Sequence, residues 1–208
     1  LYIRTAWNDF FPIVSLNSYN SQTYTSKETL SGTGVYISNC LFISISSASR
    51  GGALYCTSVT YLLVESSSFF TCEASSYAGA ICFDNSGGQC VLHKVCGYDC
   101  CTTNTNNVQF AYIVVNNAAS SKNYVNYSSL TGCVNEISGS WYTLEHHRGN
   151  ICCTSVNSSM NKCTGRTGIY CCPFSDSNSV TCALLYSSFV DNFATQSTCV
   201  CFGTTGAK

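Results

Sequence analysis

Val35–Cys56 reads VYISNCLFISISSASRGGALYC, and Leu62–Phe83 reads LLVESSSFFTCEASSYAGAICF. Each stretch has an apolar run, a Phe among small polar residues, and a Gly/Ala pair that leads into a second apolar run. Self-similarity at a fixed period marks a repeat architecture, in which each copy buries its apolar face only on the copies beside it. Extended in both directions, the alignment gives six copies anchored at Ser44, Cys72, Cys100, Cys133, Cys163 and Asn192, spaced 28, 28, 33, 30 and 29 residues apart. Three positions before the anchors stand Leu41, Phe69, Gly97, Leu130, Met160 and Phe189; eight before them stand Tyr36, Val64, Leu92, Val125, Ser155 and Leu184. Each column is apolar in all copies but one, which is the stripe that stacked coils need.

Helical repeats can share this period, but Ser, Thr, Asn, Tyr, Val and Ile dominate, and no window sustains a 3.6-residue pattern. Short strands joined by Gly, Ser and Asn bends predict an all-β fold, a parallel β-helix (solenoid) of about six coils, each rising by the strand spacing of ~4.8 Å. Residues 35–208 form its continuous repeat segment. Residues 1–34, with Trp7, Phe10, Phe11 and Pro12 ahead of a polar tract, fit the register less well. They read as an N-terminal cap or degenerate first coil, with Trp7 packing rather than binding. Gly51, Gly52 and Gly79 are expected to hold backbone conformations barred to residues with side chains.

The tetrapeptides GGAL (Gly51, Gly52, Ala53, Leu54), its variant AGAI (Ala78 to Ile81) and FVDN (Phe189 to Asn192) resemble the GGA[ILV] and FxxN repeats of polymorphic outer membrane proteins. The similarity is greatest to the Ser- and Cys-rich trichomonad surface proteins that carry this repeat. It covers Val35 to Phe202, with Cys instead of Asn at four of the six anchors. The resemblance implies a right-handed β-helix ectodomain, displayed at a cell surface and acting in adhesion, and it brings no catalytic residues.

Nine Lys+Arg against ten Asp+Glu give a net charge of −1 without a basic cluster, which argues against nucleic acid or anionic membrane as partner. No run reaches the roughly 18 apolar residues of a membrane span, and no signal-peptide pattern stands at Leu1. The chain reads as a segment of a longer protein, with any anchor or export signal outside it. Seventeen cysteines suit an oxidising, extracellular or cell-surface setting. The sequons at Asn126 and Asn157 are candidate N-glycosylation sites. Equivalent Cα atoms of neighbouring coils, ~4.8 Å apart, fall within disulfide range. That makes Cys72 with Cys100 and Cys133 with Cys163 the candidate bridges, against the alternative of buried free thiols.

Three groups could carry chemistry. Cys90, His93, Cys96, Cys100 and Cys101 have the side chains for zinc, but on strands such neighbours point to opposite faces, and no metal site is expected. Glu145, His146, His147, Arg148, Cys152 and Cys153 offer a nucleophile and a base, yet adjacent histidines diverge on an extended chain and no third, orienting residue stands at a recognisable spacing. Among the carboxylates, Asp99 and Asp191 share a column three coils apart, about 14 Å at the strand spacing, against the roughly 5 to 9.5 Å a glycosidase uses; Glu73 faces the other way. The expectation is a non-enzymatic protein without cofactor that adheres to host cells or glycans. Self-assembly of copies through unpaired end strands is the second reading, and a pectate-lyase-like carbohydrate enzyme the third.

Overall fold

The structure, a computed structural model, describes residues 7–104, 107–133, 141–163, 165–173, 181–196 and 199–203. Its strands stack in parallel into a twelve-stranded, a seven-stranded and a three-stranded sheet. The result is an all-β solenoid of about six turns. Each coil shows three main faces. The first runs through the opening half of Leu54–Glu65, then Ile81–Asp84, Ala111–Val114, Leu144–His147, Ile169–Cys172 and Val200–Phe202. The second runs through the closing half of Leu54–Glu65, then Gln89–His93, Lys122–Asn126, Asn150–Thr154 and Cys182–Leu185. The third is Leu41–Ile43, Ser68–Phe70, Cys96–Tyr98, Ser129–Thr131, Asn157–Ser159 and Ser188–Val190.

Single left-handed residues make the bends on either side of the third face. Asn39, Ser66, Lys94, Tyr127, Ser155 and Tyr186 precede it with φ between 47° and 55°; Ser44, Thr71, Asp99, Gly132, Met160 and Asp191 follow it with φ between 49° and 59°. A side chain in this conformation costs about 1 kcal/mol, but the inter-coil ladder continues through the bend. Asn39 N–H donates to the Glu65 carbonyl at 3.1 Å, Ser66 to His93 at 2.9 Å and Lys94 to Asn126 at 2.9 Å. After the first bend the next residue turns inward, and Ser alternates there with apolar side chains. The Oγ of Ser67, Ser128 and Ser187 accepts the N–H of Cys40, Val95 and Val156 from the preceding coil, each at 3.1 Å.

The second bend corrects the anchors. Strand register aligns Ile43, Phe70, Tyr98, Thr131, Ser159 and Val190. Two residues on, the inward column is Ile45, Cys72, Cys100, Cys133, Asn161 and Asn192. Ser44 is the bend residue itself, at φ 52°, so taking it as an anchor was a slip of one residue, which flips a side chain to the other face. Cys163 lies two positions past Asn161, so it is not the column neighbour of Cys133. None of the predicted bridges forms: Cys72, Cys100, Cys133 and Cys163 are free thiols. Cys72, Cys100 and Cys133 follow one another in the column without a bridge.

Stacked rings fill the core behind the third face: Tyr24 on Phe42 at 4.7 Å and Phe42 on Phe69 at 4.6 Å between centroids. The next position in that column is Gly97, and Phe110, reaching in from the opposite corner, occupies the vacated volume edge-on to Phe69 at 5.9 Å. A Cβ on Gly97 would collide with the Phe110 ring.

Among the motif glycines only Gly51 is left-handed, at φ 65°, and its equivalent Ala78 takes the same bend at 61°. Gly52 and Gly79 are required by close approach instead: a Cβ would strike the Gly79 carbonyl in the first case and the Cys101 backbone in the second. The glycine expectation is therefore corrected: Gly51 is left-handed but shares that bend with Ala78, and close approach rather than backbone conformation requires the other two.

The N-terminal residues divide. Leu16–Asn20 and Thr23–Tyr24 pair in parallel with the next coil, as a first coil would. The short helix Trp7–Phe10 and Phe11 instead lie sideways across the second face, burying Trp7 and Phe11 on Leu63 and Val91, with Tyr36, Tyr61 and Tyr124 at the rim. This is why Leu62-Leu63-Val64 and Val91-Leu92 read as unbroken apolar runs: both sides of those strands are covered.

Candidate functional site

The strand alternation separates the polar cluster at Glu145–Cys153 into an inner and an outer half. Leu144 and His146 point inward, while Glu145 and His147 point outward. His146 is fully buried, and its Nδ1 lies 2.5 Å from Asn123 Oδ1 while its Nε2 lies 3.6 Å from Cys153 Sγ. Asn123 Nδ2 donates to the carbonyls of His147 and Arg148, so Oδ1 is left to accept. Nδ1 therefore carries the imidazole proton, and Nε2 accepts from the Cys153 thiol.

A thiol, an imidazole and an amide in this order resemble the parts of a cysteine-nucleophile triad, but the protonation states differ. Burial, then His147, depresses the His146 pKa to about 3. Burial, then Cys182 and Cys152, pushes the Cys153 thiol well up. Neither group is charged near neutrality, and all three side chains are sealed in the interior. The arrangement is a neutral buried hydrogen-bond network that replaces apolar packing at two positions.

Sequence reading missed Asn123, the third partner, because it belongs to the preceding coil. The signal was present in the second-face column Val35, Leu62, Cys90, Asn123, Ile151 and Cys182, where Asn123 is the polar exception.

The outer half belongs to a stripe of rings along the first face. Tyr112, Glu145 and Tyr170 occupy one outward column. His147 Nε2 pairs with Glu145 Oε1 at 2.5 Å, and Tyr112 and Tyr170 flank its ring at 5.4 and 5.5 Å. The stripe continues to Tyr77, 5.2 Å from Tyr112; at its other end the buried Tyr142 ring lies 4.9 Å from Tyr170, with exposed Trp141 beyond it at 6.2 Å. Cations cover it: Arg50 over Tyr77 and bonded to Asp84, and Arg166 over Trp141 and Tyr142. Arg166 is held there by Gln196 at 2.9 Å and the Tyr142 hydroxyl at 3.1 Å. Burial, then nearby acidic or thiol groups, raises the hydroxyls of Tyr112, Tyr142 and Tyr170 to about 12, so all three remain neutral at physiological pH.

The remaining sequence candidates scatter. Cys90 and Cys100 are buried in the interior, whereas Cys96 is exposed and Cys101 half-buried; among the described residues no three His, Cys, Asp or Glu side chains converge on a point that could hold a metal ion. His93 packs between Phe10 and Tyr127, 5.5 Å from each ring. Asp99 and Asp191 both lie in the second-bend column, three coils apart. Asn157 is exposed, its Oδ1 bonded to Ser188 at 3.1 Å, whereas Asn126 is half-buried and its Oδ1 is sealed without a partner. No helix among the described residues is long and apolar enough to cross a membrane. No family model, curated protein or solved structure matches the chain.

Proposed function

We propose that this chain is a non-enzymatic, extracellular surface segment that adheres to cells or glycans through the first face. The observation that carries the reading is the stripe Tyr77–Tyr112–His147–Tyr170, which continues over successive coils and is joined through the buried Tyr142 ring to exposed Trp141, with Arg50 over Tyr77 and Arg166 over Trp141. Ring edges and neutral hydroxyls, spaced by the coil rise and interleaved with paired charges, offer a repeating set of apolar and hydrogen-bonding contacts to a linear polar polymer such as a glycan chain. The resemblance to GGA[ILV]/FxxN surface proteins and the abundance of cysteine support the extracellular setting. Asn157, exposed within a sequon, is the better placed of the two candidate glycosylation sites.

The test is binding of the purified chain to immobilised glycans and to intact cells. A saturable interaction that is lost in Trp141→Ala and Arg166→Ala, with circular dichroism unchanged, is the expected result. Binding indifferent to both substitutions would overturn the assignment of this face. Regular filaments without glycan binding would favour self-assembly instead, and release of product from a polysaccharide would restore the enzyme reading.

A further inference from the structure

Among the described residues three cations stand over aromatic rings on or beside the first face, and each is held differently. Lys27 lies 4.8 Å over Tyr55, and the three donors of its ammonium group meet Ser47 Oγ at 3.4 Å, Ser49 Oγ at 2.7 Å and the Arg50 carbonyl at 2.6 Å. Arg50, over Tyr77, donates from Nη1 to Asp84 Oδ2 at 2.9 Å, so its charge is matched within the face. Arg166 differs from both. Its Nε donates to Gln196 Oε1 at 2.9 Å and its Nη1 to the Tyr142 hydroxyl at 3.1 Å, both neutral acceptors, and no carboxylate of a described residue pairs with it.

A guanidinium carries five N–H donors in a planar fork, and these two bonds leave donors to spare. The seat is built from two sides. Tyr142 is buried, so packing fixes the hydroxyl that holds Nη1, and Gln196 belongs to the next coil, its own N–H bonded to the Gly165 carbonyl at 3.0 Å. The cation is thereby positioned with its charge intact, 5.5 Å over the exposed Trp141 ring. A sugar that covers Trp141 strips water from this charge. A neutral sugar leaves that cost uncompensated, whereas a carboxylate or sulfate group matches both the charge and the fork.

We propose that the ligand of the first face is an acidic glycan, with the carboxylate or sulfate group of one sugar on Arg166 and the sugar itself against Trp141. The assignment rests on the adhesive reading of this face and adds the chemical class of what it binds. One seat is not the basic cluster that nucleic acid or an anionic membrane requires. The acid group adds a single charge-assisted contact to aromatic contacts shared with neutral glycans, worth about tenfold in affinity, and salt weakens it.

Its test is binding of the native chain to matched polymers that differ only in charge: a uronic acid polysaccharide against its methyl ester, and a sulfated polysaccharide against its desulfated form. At low salt the acidic member of at least one pair is expected to bind more tightly by that factor, with the gap closing at high salt, and the pair that shows it tells carboxylate from sulfate. Arg166→Gln is expected to erase the gap, whereas Lys162→Gln, which removes an exposed charge away from this face, should keep it. The wild-type comparison stands without either variant, so a substitution that fails to fold leaves the test intact. Equal binding within both pairs, a gap that survives Arg166→Gln, or an equal loss in Lys162→Gln would overturn the acidic assignment and leave the adhesive face standing. No binding to any of the four polymers would overturn both.

Discussion

At the second bend, the middle and the C-terminal coils satisfy the same backbone groups with different chemistry. In the C-terminal coils Asn161 Oδ1 accepts Cys133 N–H at 2.8 Å and Asn192 Oδ1 accepts Asn161 N–H at 3.0 Å, while their Nδ2 groups donate to the carbonyls of Leu130 and Ser158 at 3.2 and 2.8 Å. In the middle coils Cys72 and Cys100 hold this position, their sulfurs 3.5 and 3.4 Å from the carbonyl oxygens of Phe70 and Tyr98. They also reach the carbonyls of Phe42 and Phe69, at 3.8 and 3.5 Å. Leu130, Ser158, Phe42 and Phe69 all occupy the same column. The bend therefore sets which carbonyls the inward side chain meets, and amide and thiol both reach them, while the amides also take up a backbone N–H. What differs is strength: amide bonds are short, whereas the thiol is a weak donor and a weak acceptor.

The largest test of this comparison is Asn161→Ala, which strands the Cys133 N–H and the Leu130 carbonyl in the interior. At roughly 1–3 kcal/mol per unsatisfied buried group, a loss of about 3 kcal/mol is expected in denaturant unfolding. A loss below 1 kcal/mol would mean that the amide ladder is no stronger than the sulfur one.

Neither ladder titrates in mild acid, so acid sensitivity must arise elsewhere, and His146 is its main source. Its folded pKa of about 3 lies below the ordinary histidine value of 6.5. The unfolded chain therefore binds a proton that the folded chain refuses, and stability falls as pH falls through the window from 6.5 toward 3. Between pH 6.5 and 5 the expected loss is about 2 kcal/mol. His93, also lowered by burial, contributes with the same sign. Unfolding midpoints measured against pH should show most of this slope removed in His146→Gln.

Cys100→Ala is expected to cost about 1.5 kcal/mol, less than Asn161→Ala, because the bonds it deletes are weaker. Smallest of all is Asn161→Cys, at about 1 kcal/mol, since a sulfur there can repeat the wiring of the middle coils. Chemical denaturation of both variants checks the order, and the reverse order would show that packing rather than hydrogen bonding sets the difference.

Period and apolar stripe were enough to read the parallel solenoid, because both are one-dimensional patterns. Register was harder. Laid side by side from their first letters, Val35 and Leu62, the two opening copies place Ile45 over Cys72; matching polar Ser44 to the anchors lost that by one residue. At Asn161 the pull of a cysteine-for-cysteine match displaced the register by two. The Asn123–His146–Cys153 network was half legible, its cysteine and histidine close in sequence and its asparagine a coil away. The sideways strap of Trp7 and Phe11 had its trace in the unbroken apolar runs it covers, but nothing local said which segment would cover them. The aromatic stripe was invisible as a unit because Tyr77, Tyr112, His147 and Tyr170 come from successive coils, each alone among ordinary surface residues.

The exchange of volume between Gly97 and Phe110, together with the serines that recur at Ser67, Ser128 and Ser187, has a bearing on how such a chain can change length. Cutting out one coil would bring serine against serine or valine against valine at the first bend, leaving either a doubled acceptor or an N–H with none. If the cut fell between Gly97 and Phe110 it would also leave a hole on one side of the interior and a ring with no room on the other. Removing or duplicating two coils at a time keeps the alternation in phase and carries the glycine with its phenylalanine. The module that recombination or design can shuffle in this rod is therefore a pair of coils, twice the period that the eye first finds in the letters.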